Sequence, residues 1–481
     1  MNLTLMSDFY ELTMLRGYQR AGFRNKKAVF DLFYRKNPCG NGYAIAAGLE
    51  QAADYIENLR FGPDDLDYLS QTAGFDGEFI EYLRDFRFTG DVLAVPEGTV
   101  VFPNEPFIRV TAPIMEAQFL ETALLNIVNH QSLIATKAAR VAWAAGGENV
   151  LEMGTRRAQG PDAGLYGARA AIIGGCGATS NVLAGKMFGV PVRGTHAHSW
   201  VMSFPDELTA FRRYAEVFPD ACVLLVDTYD TLRSGVPNAI RVFREMRERG
   251  ASLKNCGIRL DSGDLAYLSK KARKMLDEAD LQEVVISASG DLDENLIGDL
   301  KTQGAKISVW GVGTNLITSL DCPAFGGVYK MACEIGEDGA QYPKIKLSEN
   351  PEKVTNPGIK KVLRLYDVET GKFKADLIAL EDESYDASED LTIFDPLATW
   401  KRMTLRAGEY RIRELLVPVF AGGKRIYDSP GTMEIRANCR AELDTLWDEH
   451  KRLTNPQIAY VDLSQRLYDL KDRMIAEARK A

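Results

Sequence analysis

Between residues 148 and 335 short apolar runs alternate with helical patterns, and this alternation constrains the fold more than any other feature of the chain. The runs are "ENVLEMG", "VPVRGTHAH", "ACVLLVDTYD", "CGIRLDSGD", "EVVISASGD", "KISVWGVGT" and "GGVYKMA". Amphipathic segments such as "PNAIRVFREMRERG" and "DENLIGDLKTQG" lie between them, each closing on the glycine expected just beyond a helix end. Strands separated by helices pair in parallel through crossover connections. Seven such units fit a βα barrel better than a short open sheet. The first six runs begin apolar and end in Gly, Asp, Arg, Ser, Thr or His. The reacting groups of a βα barrel sit on the C-terminal strand ends, so these polar tails are the predicted site.

The flanks read differently. Residues 1–145 hold the strand-like "AVFDLFY" and "DVLAVPEGTVVFPNEPFIRVTAP", then a long apolar-periodic helix, "MEAQFLETALLNIVNHQSLIATKAARVAWAA". This predicts an α+β domain ahead of a barrel over 146–335. Over 336–481 the chain turns polar and irregular, gives a hairpin signal in "LRLYDVETGKFKADLIAL" and ends on a charged helix; this C-terminal region is expected to pack on the N-terminal domain. At 481 residues the chain has room for two or three domains. Its net charge of −9, without a basic stretch interleaved with aromatics, argues against a nucleic-acid footprint. No run approaches the roughly 18 apolar residues of a membrane helix, and "MNLTLMSDFYELTMLRGYQ" lacks the marks of a signal peptide. Seven scattered cysteines without a C-x-x-C pair read as reduced thiols of a cytoplasmic protein.

Two of the four histidines, His196 and His198, stand in "GTHAHS". Histidines at i and i+2 on a strand share a face, as in some barrel metal sites. Such a site needs further histidines, and only His130 and His450 remain, each in a helical pattern. A satisfied core residue is an equal reading for His196. His198, followed by Ser199 at a strand end near acids, is better placed as a nucleophile or general base. "SASGD" at 287–291 and "GVGT" at 311–314 close two consecutive late strands with small residues rich in backbone N–H and hydroxyl donors, the usual phosphate cradle of a barrel. Neither a Walker A pattern nor G-x-G-x-x-G occurs. In "GIRLDSGD", Arg259 and Asp261 alternate onto one face, and Asp261 and Asp264 suit ribose hydroxyls or Mg²⁺. "LLVDTYDT" adds Asp227 and Asp230, the latter equally suited to a structural ion pair. Arg156 and Arg157 in "EMGTRRAQGP" can fork onto a carboxylate or phosphate. Cys176 lies mid-unit with no histidine near it in sequence, which disfavours a nucleophile.

Taken in order, "SDFYELTM", "MGTRRAQGPD", "GTHAHSW", "LLVDTYDT", "IRLDSGDL", "SASGDLDE" and "GVGTNL" resemble the nicotinate phosphoribosyltransferase family from residue 7 to about residue 361. The resemblance implies an irregular seven-stranded α/β barrel with a flanking α+β domain and an added C-terminal region, working as a homodimer in the cytoplasm. It implies a reaction that joins nicotinate to phosphoribosyl pyrophosphate, with Mg²⁺ and with coupled ATP hydrolysis, in NAD biosynthesis. By the same resemblance His198 is the residue phosphorylated by ATP, and Arg259 and Asp261 act with it at the reacting centre. Tyr10 of the partner subunit stacks on the pyridine ring, and Arg156, Arg157, Gly194 and Ser199 surround the nicotinate carboxylate. Asp227, Asp264, Ser287, Ser289, Gly290, Gly311, Gly313 and Thr314 meet the phosphoribosyl group. Lys330, Lys346 and Lys353 match lysines facing ATP or pyrophosphate. His196 stands where the nicotinamide-using relative carries an acid, which favours an anionic substrate. Gly290 departs from the Asn frequent in relatives. A non-catalytic nucleotide-binding protein on the same barrel is the alternative, disfavoured by the retention of His198, Arg259 and both acids of "RLDSGD".

Overall fold

The computed structural model describes residues 2–350 and 353–480. Contacts sort the chain into two compact units. One holds the residues up to Leu133, Ala324–Pro430 and the chain from Ala437 on; the other holds Ile134–Pro323 with Gly431–Arg436.

The second unit is built on a six-stranded sheet. Its order is Ala178–Thr179, Asn149–Glu152, Val309–Val312, Val285–Ala288, Gly257–Leu260 and Val223–Leu225. Every neighbouring pair is parallel. Parallel sheets are covered on both faces, and the strands are accordingly rich in buried Val150, Leu224, Ile258, Leu260, Ile286, Trp310 and Val312. The crossover helices bury one stripe each. Val236–Glu248 turns Val236, Ala239, Val242, Phe243 and Met246 inward at helical spacing, and Leu265–Glu278 does so with Leu265, Ala266, Ser269, Ala272 and Leu276. Several begin on an acid or amide whose side chain accepts an orphan backbone N–H: Asp206 from Thr209, Asp264 from Tyr267 and Asp293 from Leu296.

Two of the seven expected strands fall elsewhere. "GGVYKMA" lies in Gly327–Ile335, which pairs antiparallel with Lys27–Tyr34 in the first unit. An apolar run bounded by glycines looks the same in either kind of sheet, which is why the sequence suggested a parallel strand. "VPVRGTHAH" makes a single parallel bridge, Val192 to Thr179, before leaving the sheet. In that bridge Thr179 donates its N–H to Pro191 O and accepts from Arg193 N, both at 3.0 Å. The two-residue strand Ala178–Thr179 stands between this segment and Asn149–Glu152 and carries no periodic signal of its own.

The main sheet of the first unit is antiparallel. This seven-stranded sheet runs Gln341–Pro343, Gly327–Ile335, Lys27–Tyr34, Ile108–Pro113, Asp91–Ala94, Val417–Ala421 and Lys424–Arg425. Over it lies a core rich in aromatics, including Phe30, Tyr34, Phe61, Phe79, Phe86, Phe107 and Phe119. The hairpin expected after residue 362 is present as Lys360–Asp367 against Phe373–Leu380, with the helix Gln465–Ala478 further on. The long apolar helix spans Glu121–Ala145, preceded by the short helix Ile114–Phe119.

Candidate active site

The C-terminal ends of the central parallel strands bring the predicted polar groups together. Arg259, on the strand Gly257–Leu260, donates three ways: Nε to Ser289 Oγ, Nη1 to Thr195 Oγ1 and Nη2 to Asp261 Oδ1, each at 2.8 Å. One guanidinium thus ties three strand-end segments. Asp261 also accepts from the Ser289 hydroxyl. Burial pushes the Asp261 carboxyl up, but the Ser289 hydrogen bond and the Arg259 charge outweigh it and hold the group below the usual carboxylate range. Asp227, past the end of Val223–Leu225, accepts from the Asp261 N–H at 3.1 Å and from the Ser262 hydroxyl. Its second oxygen, Oδ1, is buried without a partner among the described residues.

The two histidines occupy opposite environments. His198 opens the short helix His198–Met202. Its Nδ1 lies 3.2 Å from Thr228 Oγ1 and its Nε2 3.7 Å from Asp261 Oδ2, and 41% of the side chain is exposed. His196 is buried, packs edge-on against Tyr214 at 4.6 Å and accepts the Leu225 N–H on Nε2 at 3.2 Å. Burial lowers its pKa to about 4, assisted by the charge of Arg259. A ring that accepts at Nε2 and stays neutral is a structural group.

The phosphate-type loops follow. Ser289 is buried, and Gly290 takes φ +99°, where an added Cβ would lie 2.5 Å from Asp261 O. At Gly311 a Cβ would press on Met153 Sδ at 2.9 Å and on Ser289 Cβ at 3.3 Å. Gly313 precedes the short helix Thr314–Ile317. Two predicted groups are already engaged: the Ser287 hydroxyl donates to Ile258 O at 3.0 Å, and Asp264 Oδ1 caps its helix at Tyr267 N.

Arg156 and Arg157 lie in the one-turn helix Thr155–Arg157 just beyond Asn149–Glu152. Both are exposed, and neither side chain has a hydrogen bond or ion pair among the described residues. Beneath them Glu152, fully buried, accepts from the Gly154 N–H and, at 2.5 Å, from Thr179 Oγ1. Burial raises the Glu152 carboxyl and these hydrogen bonds oppose the rise. Gly194 and Ser199 are exposed. Cys176 is buried and its thiol pushed up by that burial, the opposite of an activated nucleophile. Asp230 caps the following turn, accepting from Leu232 and Arg233 N–H.

Other predicted residues belong to the first unit. Tyr10, in the first turn of Phe9–Arg20, is 45% exposed, and burial of its inner part with the nearby carboxylates of Glu121 and Glu11 raises its hydroxyl. Lys330 donates to Tyr329 O at 2.6 Å and pairs with Glu121 at 3.3 Å. Lys346 is tied through its backbone to Thr355 Oγ1, and Lys353 donates its N–H to Asn350 O. Sequence reasoning missed Thr195, Thr228 and Glu152. Thr195 and Thr228 carried a signal, since each directly follows a strand-end motif residue; Glu152 looked like one more polar tail.

Among the described residues no group of three or more His, Cys, Asp or Glu is arranged to hold a metal ion, and no helix is long and apolar enough to cross a membrane.

Models of nicotinate phosphoribosyltransferase match the chain in three parts: the N-terminal domain over residues 5–129, the family region over 149–366 and the C-terminal domain over 359–471. The chain is 50% identical to a nicotinate phosphoribosyltransferase of Bacillus subtilis (strain 168), over 99% of this chain and 97% of that protein. It is 35% identical to one of Homo sapiens, over 98% and 96%. The crystal structure of human nicotinic acid phosphoribosyltransferase superposes with a TM-score of 0.84 at 33% identity, covering 97% of this chain and 99% of that one. A nicotinate-nucleotide pyrophosphorylase from Pyrococcus furiosus, 22% identical over 92% of this chain and 96% of its own, shares the fold with a TM-score of 0.71. Sequence similarity along nearly the whole length, with a matching fold, establishes that the chain belongs to the nicotinate phosphoribosyltransferase family.

Proposed function

We propose that this protein joins nicotinate to phosphoribosyl pyrophosphate, giving nicotinate mononucleotide and pyrophosphate, with ATP hydrolysis coupled through a phosphate on His198. The observation that carries the reading is the cluster of His198, Asp261 and Arg259 at one set of strand ends, in a chain so similar to enzymes of that name. In the transfer the bond from ribose C1 to the pyrophosphate oxygen breaks and pyrophosphate leaves with the electron pair. The pyridine nitrogen then supplies the pair that forms the new bond. Charge on C1 is positive as this happens, and an ionised carboxylate such as Asp261, held below the ordinary range, stabilises it. Asp227 and Asp264 are read as ribose and pyrophosphate contacts. The Ser287–Gly290 and Gly311–Thr314 segments are read as the 5′-phosphate cradle. Arg156, Arg157, Gly194 and Ser199 form the nicotinate carboxylate site, where a forked guanidinium suits an anion and not an amide.

Mg²⁺ fits this site: the unpartnered Oδ1 of Asp227, with Asp261 beside it, is a hard oxygen set suited to a cation delivered on substrate phosphates. When bound, the ion neutralises the leaving pyrophosphate. Lys330, Lys346 and Lys353 are assigned to ATP or pyrophosphate. Tyr10 is assigned to a shared site in a homodimer, where its exposed ring stacks on the pyridine of the partner's substrate. The Leu225 N–H bond to His196, linking the segment after Val192 to the far edge strand, supports reading the sheet as an irregular seven-stranded barrel. Seven scattered cysteines without a C-x-x-C pair fit a cytoplasmic enzyme of NAD biosynthesis.

Pyrophosphate release measured with nicotinate and with nicotinamide, each with and without ATP, tests the reading. Release with nicotinate, enhanced by ATP, is expected. Release with neither pyridine, despite binding of phosphoribosyl pyrophosphate, would identify a non-catalytic binder instead.

A further inference from the structure

We propose that Glu152 and Thr179 are a buried positioning pair that sets affinity for nicotinate by fixing the turn on which Arg156 and Arg157 stand. The inference rests on the reading of those arginines as the carboxylate site. Neither guanidinium is held by another side chain among the described residues, so their placement comes from the backbone beneath. That backbone is clamped from several directions. Glu152, the last residue of its strand and wholly buried, reaches forward two residues to take the Gly154 N–H on Oε1. Its Oε2 takes the Thr179 hydroxyl from the neighbouring strand at 2.5 Å. Thr179 Oγ1 in turn accepts the Asn181 N–H at 2.9 Å, and the Asn181 amide caps Val182–Phe188 at Ala184 N and donates to Gly164 O, both at 3.0 Å. On the other side Gly154 has no room to move. A Cβ there would lie 2.5 Å from Ile317 Cβ and 2.8 Å from Gly313 O. The Arg157 N–H closes the turn on Gly154 O at 2.7 Å.

The chemistry asks for a carboxylate. Two donors, a backbone N–H and a hydroxyl, converge on Glu152 from different strands, and a carboxylate has an acceptor for each. Glutamine offers one oxygen and an NH₂ that can accept from neither donor, so one link must break or the Thr179 hydroxyl must rotate. Folding alone gives little reason to bury an anion at a strand end, because its desolvation is costly. Precise placement of two arginines supplies a reason, since misplacing a binding group by an ångström costs heavily in affinity or rate.

The test measures KM for nicotinate, KM for phosphoribosyl pyrophosphate and kcat in Glu152→Gln, Thr179→Val and Thr179→Ser, beside Arg156→Ala and Arg157→Ala. Glu152→Gln and Thr179→Val are expected to raise the nicotinate KM on the order of ten- to a hundredfold, with kcat and the KM for phosphoribosyl pyrophosphate essentially unmoved. Thr179→Ser, which keeps the hydroxyl, is expected to restore the parental nicotinate KM. Should Glu152→Gln fail to fold, Thr179→Val decides, because it removes the hydroxyl that joins Glu152 to Asn181 and leaves the carboxylate in place. An unchanged nicotinate KM in either folded variant overturns the proposal. So does an equal rise for both substrates, the mark of a general structural defect. Parental nicotinate KM in both arginine variants would instead overturn the arginine assignment, a separate result from failure of the pair.

Discussion

His196 and His198 stand two positions apart and share no environment. On a strand they would face the same way, but Ala197 is extended and His198 begins a helix, so one ring enters the core and the other meets Asp261 and Thr228. The sequence left His196 open between a core residue and a ligand; burial and the Leu225 N–H decide for the core. Because its pKa drops from 6.5 to about 4 on folding, the folded protein keeps the neutral ring. Below pH 6.5 the unfolded chain takes up a proton that the folded chain refuses. Stability contributed by His196 is therefore present above pH 6.5 and is lost as pH falls from there to about 4, by up to about 3 kcal/mol. Urea unfolding between pH 7 and 4 on the parent and on His196→Gln measures this; the variant should lose less stability over that window. Equal losses would show that His196 does not titrate this way. Arg259 and Asp261 were legible for the opposite reason: they lie at a true strand end, and the alternation that predicted one face is realised as a 2.8 Å contact.

At the element scale the signals that could be read were those with enough residues to carry a period. The strands Gly257–Leu260, Val285–Ala288 and Val309–Val312 appeared with their polar tails, as did the helices Val236–Glu248 and Glu294–Thr302. Ala178–Thr179 is too short to show one. The Gly327–Ile335 strand was visible as a strand, but its partner and direction were not, because pairing is set by distant residues. Asp264 shows how one residue serves an element and a site in sequence reasoning. Its Oδ1 takes the Tyr267 N–H and starts Leu265–Glu278, so Asp264→Ala should lower stability by about 1 kcal/mol, read from the urea midpoint. Asp264→Asn, which can still cap, separates the roles: near-parental stability with a raised KM for phosphoribosyl pyrophosphate is expected if Asp264 also meets the ribose. Parental kinetics in both variants would leave it a cap alone.

At the scale of the whole molecule, the α/β character and the gathering of polar groups at the parallel strand ends could be read from one sequence. The first unit draws on three separated stretches of chain, which folding brings together. The shared site assigned to Tyr10 belongs to this scale as well. Mixing Tyr10→Ala chains with His198→Ala chains should restore part of the activity, since one site of each hybrid keeps both residues; verified heterodimers without recovery would place both residues in one chain's site. The most direct test of the account is labelling by ATP carrying γ-³²P. Acid-labile label and nicotinate-dependent ATP hydrolysis should vanish in His198→Asn, while slow, ATP-independent formation of nicotinate mononucleotide persists, and His196→Asn should keep the label in reduced amount. Label that survives in His198→Asn and disappears in His196→Asn would contradict the account at its centre.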